Sequence, residues 1–273
     1  MALSKIRVRR ITYREAEQRL DTEPLHLMLH WCQLSRERRR NAGAVFIELP
    51  EVAVRYREDE VSITTLPVLE SRKLVSESML LAGAAIGRFG LENRISLPFA
   101  TQEPPSEIWH EENGLAGMMQ RRKSLKRSLI RSVQGAHAGL GLEAYVQATS
   151  PMRRYMDLVV HQQLRAYLTG RPGLNAQQLL ERVGATGTQS DLIRKAERMS
   201  NLHWTLVYLS RNPAWKGEGV VVEIRDGRST VLIPELGLET ALYLSGNVAL
   251  NDRLALKAKS VDLPNLESRF EVV

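Results

Sequence analysis

A single cysteine, Cys32, stands in a chain of 273 residues, so an internal disulfide and a cysteine-built zinc cluster are both excluded. Its neighbour Trp31 and the apolar residues around it place Cys32 in a helical stretch, where a buried thiol is expected rather than a nucleophile. Aromatic residues are scarce at 5% of the chain, which limits any binding mode built on extended base stacking. By sequence, no apolar run comes near the roughly 18–20 residues needed to span a bilayer, and no membrane partner is expected. An N-terminal apolar signal segment is likewise lacking, and a cytoplasmic location is the expectation. Aspartate is sparse as well: before Asp157 only Asp21 and Asp59 occur, far apart in sequence and neither in an Asp-x-Asp-Asp setting. Neither internal repeats nor low-complexity tracts are found.

What is abundant is positive charge. Lysine and arginine exceed the acidic residues to leave a net +7, with a sequence pI near 9.7, which permits a polyanionic partner without specifying one. The apolar spacing from Tyr13 to about Arg40 predicts one or two amphipathic helices ending in the basic cluster Arg36–Arg40. Residues 44–64 alternate as a short antiparallel meander whose acidic tip, Glu58-Asp59-Glu60, reads as a solvated turn rather than a metal site. An apolar helix from Leu74 to Phe89 precedes a long loop, Gly90 to Ser106, and residues 114–134 read as a helix with a basic face capable of following a phosphate backbone. Two more helices are predicted at about 176–185 and 190–211. After Asn212-Pro213 five short strands in about sixty residues, with a turn at Asp226-Gly227, suggest an OB-type barrel. Its main aromatics are Tyr243 and Phe270, so charge is expected to dominate its grip on a nucleic acid.

The densest chemistry lies in Tyr145-Val146-Gln147-Ala148-Thr149-Ser150-Pro151-Met152-Arg153-Arg154-Tyr155-Met156-Asp157-Leu158-Val159-Val160-His161. Thr149 or Ser150 is a good helix cap and Pro151 suits a first helical position, so a helix running from Pro151 to about Leu168 is predicted. Its positive dipole end and two adjacent guanidinium forks would then favour phosphate. Asp157 lies four residues from both Arg153 and His161, close enough on one helical face to orient either.

This string resembles the Thr-Ser-Pro-x-Arg-Arg-Tyr-x-Asp-Leu-x-x-His signature of the ribonuclease II (RNB) family, with Ala148 where many members have Phe and Met156 where many have Pro. The lead-in His137-Ala138-Gly139-Leu140-Gly141-Leu142, the helix Leu74–Ala82, the loop Pro98–Pro105 and Ala196-Glu197-Arg198 resemble the family too, although Ser76 stands at its first helix glutamate. The resemblance implies an α+β fold: residues 1–212 as the C-terminal half of an RNB catalytic domain and 213–273 as an OB-type RNA-binding barrel. It also implies a 3′→5′ hydrolytic exoribonuclease that acts on single-stranded RNA and releases nucleoside 5′-monophosphates. Arg153 would stabilise charge at the scissile phosphate. Glu77, Thr149, Ser150, Arg154, Tyr155, Glu197 and Arg198 would bind RNA, with Glu77 near the 3′-terminal ribose, while Asp157 and His161 would support the site. The complete enzyme would use Mg2+, whose ligands are not found in this chain, so a separate or missing N-terminal half is the expected partner and this chain alone is expected to be inactive. The competing expectation is a non-catalytic RNA-binding remnant or regulator of RNA turnover.

Overall fold

The computed structural model describes residues 4–105, 113–244 and 246–273; the end of the predicted loop at Ser106 lies outside them. Its class is α+β, as expected, with two compact units interleaved along the chain. The first gathers residues 1–45, 68–106 and 125–190, and the second gathers 46–67, 107–124 and 191–273. Long-range packing places two segments upstream of residue 125 in the same unit as the barrel.

In the first unit, helices α1 (Tyr13–Glu17) and α2 (Leu25–Asn41) divide the predicted N-terminal helical region, α1 opening with a capping box between Thr12 and Glu15. Helix α3 (Glu70–Glu92) exceeds the predicted helix at both ends. By length and composition α3 is apolar enough to cross a membrane, correcting the reading that no such run exists. Its apolar character is put to use in packing: Leu74 is buried and its carbonyl accepts a bond from Cys32 Sγ at 3.5 Å. Gly83 lets α3 approach the motif strand closely, because a Cβ there would lie 2.4 Å from the Tyr145 ring and 2.6 Å from the Val146 carbonyl. Strand β3 (Phe99–Thr101) is buried inside the predicted loop and pairs with β4 (Leu129–Arg131). Leu97, Phe99, Val146, Ala148 and Val160 form this unit's core, Val160 coming from α5 (Tyr155–Leu168).

The pairing of β4 corrects the predicted helix over 114–134, for α4 (Gly114–Ser124) stops at Ser124, whose hydroxyl bonds the Arg121 carbonyl at 2.9 Å. Strand pairing with β3 overrides the helical propensity of the remaining residues. Conversely, the two helices predicted around residues 176–211 are one, α6 (Ala176–Arg211), of 36 residues. Glycine in a helix costs only about 1 kcal/mol relative to alanine, and the Thr186 hydroxyl is satisfied by the Arg182 carbonyl at 3.0 Å.

In the second unit the predicted meander reduces to one hairpin, β1 (Val52–Arg57) and β2 (Glu60–Thr65), turned by Glu58 and Asp59 with φ of 50° and 65°. Residues 44–49 form no strand. The five predicted barrel strands are present as β5 (Lys216–Arg225), β6 (Arg228–Ile233), β7 (Leu238–Leu242), β8 (Arg253–Asp262) and β9 (Glu267–Val272). They run in the order β7-β6-β5-β8-β9, all antiparallel, as a nearly closed OB-like barrel. Leu206 and Leu209 of α6 plug it against Val221, Val231, Ile233, Leu256 and Phe270. Phe270 is therefore a core residue edged against Trp215, not a stacking surface, because it falls on the inward phase of β9.

Two substitutions test these packings. Leu206→Ala should cost about 2–5 kcal/mol through the cavity it leaves, and Gly83→Ala about 1–3 kcal/mol through overlap with the Tyr145 ring and the Val146 carbonyl. Both are read as lowered midpoints in thermal denaturation.

Candidate nucleic-acid interface

The motif enters from the core of the first unit. The Tyr145 carbonyl accepts the Ala100 N–H at 2.8 Å, Val146 bridges to Phe99, and His161 Nε2 bonds the Ala148 carbonyl at 2.8 Å. Beyond Ala148 the chain leaves the core in a tight turn, where the Ser150 carbonyl accepts the N–H groups of Arg153 and Arg154 at 3.2 and 3.0 Å. The helix therefore starts at Tyr155 and not at Pro151. Arg154 occupies the cap position without a side-chain cap bond, and neither Thr149 nor Ser150 caps the helix.

The reason is Asp157. Its side chain is 0% exposed, and Oδ2 accepts the Ser150 N–H at 2.8 Å together with Arg154 Nε at 3.0 Å and Nη2 at 2.7 Å. A buried carboxylate must be compensated, and it gathers the turn around itself to obtain three donors. The expectation that Asp157 orients Arg153 or His161 is corrected accordingly: it holds Arg154, while His161 anchors the strand leading into the turn. Sitting in the first turn of α5, the carboxylate also offsets part of the helix dipole once assigned to phosphate.

This arrangement leaves Arg153 outside the network. It is exposed and makes no side-chain hydrogen bond or ion pair among the described residues, beside Met152 at 99% exposure. Thr149 is exposed and meets Arg154 Nη2 at 3.4 Å, and the Tyr155 hydroxyl accepts from Arg182 Nη1 at 2.8 Å. Arg153, Thr149, Ser150, Arg154 and Tyr155 are thus brought together on one turn. Glu77 is not part of that surface. It is 5% exposed, with both carboxylate oxygens held by Arg39 through Nε and Nη2, so the ribose contact expected of it is replaced by an internal ion pair. Glu197 and Arg198 lie on an exposed stretch of α6 in the second unit.

Sequence reasoning missed Arg39, which was counted into a solvated basic cluster. The available signal was helical phase, because Arg39 lies seven residues after Cys32 on the face of α2 turned to α3. Arg39 Nη1 also donates to the Leu140 carbonyl at 3.0 Å, tying the motif's lead-in to the same pair. The basic stripe around residues 121–131 is likewise less free than expected: Arg122 pairs with Glu239 at 2.5 Å and Lys123 with Glu223 at 2.6 Å, the latter holding the Glu223 carboxyl below its usual range. In the lead-in, burial pushes the His137 imidazole down and the Tyr145 phenol up, the two rings standing edge to face at 6.0 Å.

Among the described residues no three His, Cys, Asp or Glu side chains converge on a point that a metal ion could occupy. Asp157 is wholly buried, its Oδ2 taken by Arg154 and the Ser150 N–H and its Oδ1 without a partner among the described residues, and one enclosed carboxylate oxygen does not make a divalent-cation site.

An OB-like barrel in one unit and an exposed arginine turn in the other mark a nucleic-acid-directed class of protein. Residues 3–170 match the RNB domain and residues 215–273 the RNase II-type exonuclease C-terminal S1 domain, and the chain belongs to the RNB family. Nucleases of this family generally depend on divalent metals. An uncharacterized ribonuclease from Synechocystis sp. is 35% identical over 280 residues, spanning 96% of this chain and 41% of its own length. Mycoplasma genitalium RNase R, solved with ribose-methylated single-stranded RNA, superposes with a TM-score of 0.77 at 16% identity, covering 96% of this chain and 53% of its own. A yeast pseudonuclease shares the fold at a TM-score of 0.65 and 15% identity, over 85% of this chain and 35% of its own. The chain thus spans about half or less of the length of these relatives.

Asp157→Ala should destabilise the protein by about 3 kcal/mol because it strands Arg154 and the Ser150 N–H, whereas Arg153→Ala should change stability by less than about 0.5 kcal/mol; urea midpoints separate the two. The depressed His137 imidazole makes stability complete above its unfolded value of about 6.5 and lost as the pH falls below it, because the unfolded chain then binds the proton more readily. His137→Gln should flatten that loss in denaturation measured between pH 7.5 and 5.

Proposed function

We propose that this chain supplies the RNA-binding and phosphate-stabilising portion of a hydrolytic 3′→5′ exoribonuclease that acts on single-stranded RNA and releases nucleoside 5′-monophosphates. The observation that carries the reading is the unpaired, exposed Arg153 on a turn whose shape is set by buried Asp157 and by His161. Hydrolysis builds negative charge on the phosphate oxygens, and an unpaired guanidinium carried on a braced turn can meet that charge without first breaking an internal ion pair. Arg153 therefore faces the scissile phosphate. Arg154 braces the turn through Asp157 instead of contacting a second phosphate, and Thr149, Ser150 and Tyr155 line the approach. Glu77 acts from inside, through Arg39, and Glu197 and Arg198 offer RNA contacts on α6.

Catalytic Mg2+ does not fit the described residues, so no step is assigned to it; the carboxylates that would hold it are assigned, on the family resemblance, to a separate or missing N-terminal half of the catalytic domain. We place the protein in the cytoplasm, in keeping with a lone buried thiol, and we assign residues 1–212 to the catalytic domain and 213–273 to RNA binding. A second reading, an RNA-binding remnant or regulator without catalysis, is favoured by the same lack of convergent carboxylates and by the likeness to a pseudonuclease.

The test follows mononucleotide release from 3′-tailed single-stranded RNA with Mg2+, with and without a polypeptide bearing an aspartate cluster. Release is expected only with both present, and Arg153→Ala should lower it roughly a hundredfold or more. RNA binding without release in every combination would leave the non-catalytic reading.

A further inference from the structure

Residues 145–190 carry five arginines and two carboxylates. Both carboxylates are engaged: Asp157 holds Arg154, and Glu181 Oε1 accepts from Gln177 Nε2 at 3.3 Å. One of the remaining arginines, Arg182, reaches the motif. It lies on the part of α6 that belongs to the first unit, it is exposed, and its Nη1 donates to the Tyr155 hydroxyl at 2.8 Å. The positions three and four residues away on its own helix, where an ion-pair partner would stand, are Gln178, Leu179, Ala185 and Thr186. Arg182 therefore makes no ion pair among the described residues, and the Tyr155 oxygen is its one side-chain partner there.

The direction of that bond decides what the pair can do. A guanidinium has donors and no acceptor, so the Tyr155 oxygen accepts from it and the phenolic O–H is left to donate elsewhere. Tyr155 is 40% exposed, and the pair thus presents one O–H and the remaining guanidinium N–H groups to solvent. Donors of that kind, with a positive charge and no carboxylate to neutralise it, suit an anion that offers two oxygens, as a phosphodiester does. The contact to Tyr155 also limits the rotamers of Arg182 before any ligand arrives, which lowers the entropy lost on binding. Arg154, the motif's other candidate for a second phosphate, is already committed to Asp157.

We infer that Arg182 and Tyr155 together bind the phosphodiester adjacent to the one that Arg153 meets, so that Arg182 is an RNA-binding residue outside the signature string. Arg153 stands on the turn and Arg182 on α6, and a strand that meets both presents them with successive phosphates. The role of Arg153 rests on the exoribonuclease reading; the Arg182–Tyr155 pair is argued from its own contacts.

The experiment measures the affinity of the full chain for single-stranded RNA by fluorescence anisotropy between 50 and 300 mM salt. Arg182→Gln should weaken binding about tenfold at low salt and reduce the slope of log affinity against log salt by about 0.7, the share of one phosphate on a single strand. Arg182→Lys should restore the slope but not the full affinity, because it keeps the charge and loses the fork. Tyr155→Phe should keep the slope, and with Arg182→Gln should cost less than the two single losses combined. The same RNA carrying one uncharged methylphosphonate linkage, moved stepwise from the 3′ end, locates the contact: the Arg182→Gln deficit should vanish at one linkage, next to the one at which the Arg153→Ala deficit vanishes. A deficit that survives at every linkage, one that vanishes at the same linkage as that of Arg153, an unchanged slope in Arg182→Gln, or no RNA binding by the chain would each overturn the inference. Unchanged urea midpoints in the Arg182 variants are expected, and a shift matching the loss of affinity would assign Arg182 to structure instead. Mononucleotide release is scored separately: its absence sinks the catalytic reading and leaves these affinities to decide the Arg182–Tyr155 site.

Discussion

The turn that displays Arg153 depends on a charge with no exposed surface. Asp157 is wholly buried, and a carboxylate in that position persists only when donors replace its lost hydration. Two come from Arg154 and one from the backbone of Ser150, which forces residues 150–154 into a turn and delays the helix to Tyr155. The neighbouring Arg153 is thereby left with nothing to pair with. One arginine of the dipeptide is consumed in structure and the other is presented, a division of labour that neither residue carries in its own chemistry.

A second buried pair, Arg39 with Glu77, acts at the other end of the motif. It joins α2 to α3 and, through the Leu140 carbonyl, to the turn that leads into Tyr145. Buried ion pairs contribute little net stability once desolvation is counted, but they penalise any arrangement that separates the partners. Here the penalty falls on misplacement of three chain segments that converge on the core of Leu97, Phe99, Val146, Ala148 and Val160. Position is what such a pair secures, and a phosphate-directed arginine requires it.

Much of the architecture was legible from pattern. Alternation and turn chemistry located all five barrel strands, and apolar periodicity located α2 and α3, because these elements are stabilised by faces that the sequence itself spells out. The failures share one cause. Helix α4 ends early because β4 finds a partner in β3, nearly thirty residues away in sequence, and residues 44–49 lack a partner and form no strand. Glu77 was expected at RNA from the family resemblance, and nothing in the sequence pointed to its internal partner, because Arg39, 38 residues upstream, looks like one more member of a solvated basic run. Pairing across such distances leaves no local trace.

By itself the sequence determined the family, the barrel, the motif and the identity of its arginines, since composition, spacing and alternation are local properties of the chain. Which arginine is free, which glutamate is spent internally and which guanidinium reaches the Tyr155 hydroxyl were decided only by tertiary structure. Burial turns equal charges into unequal ones, and burial is settled by what the rest of the chain places against each residue.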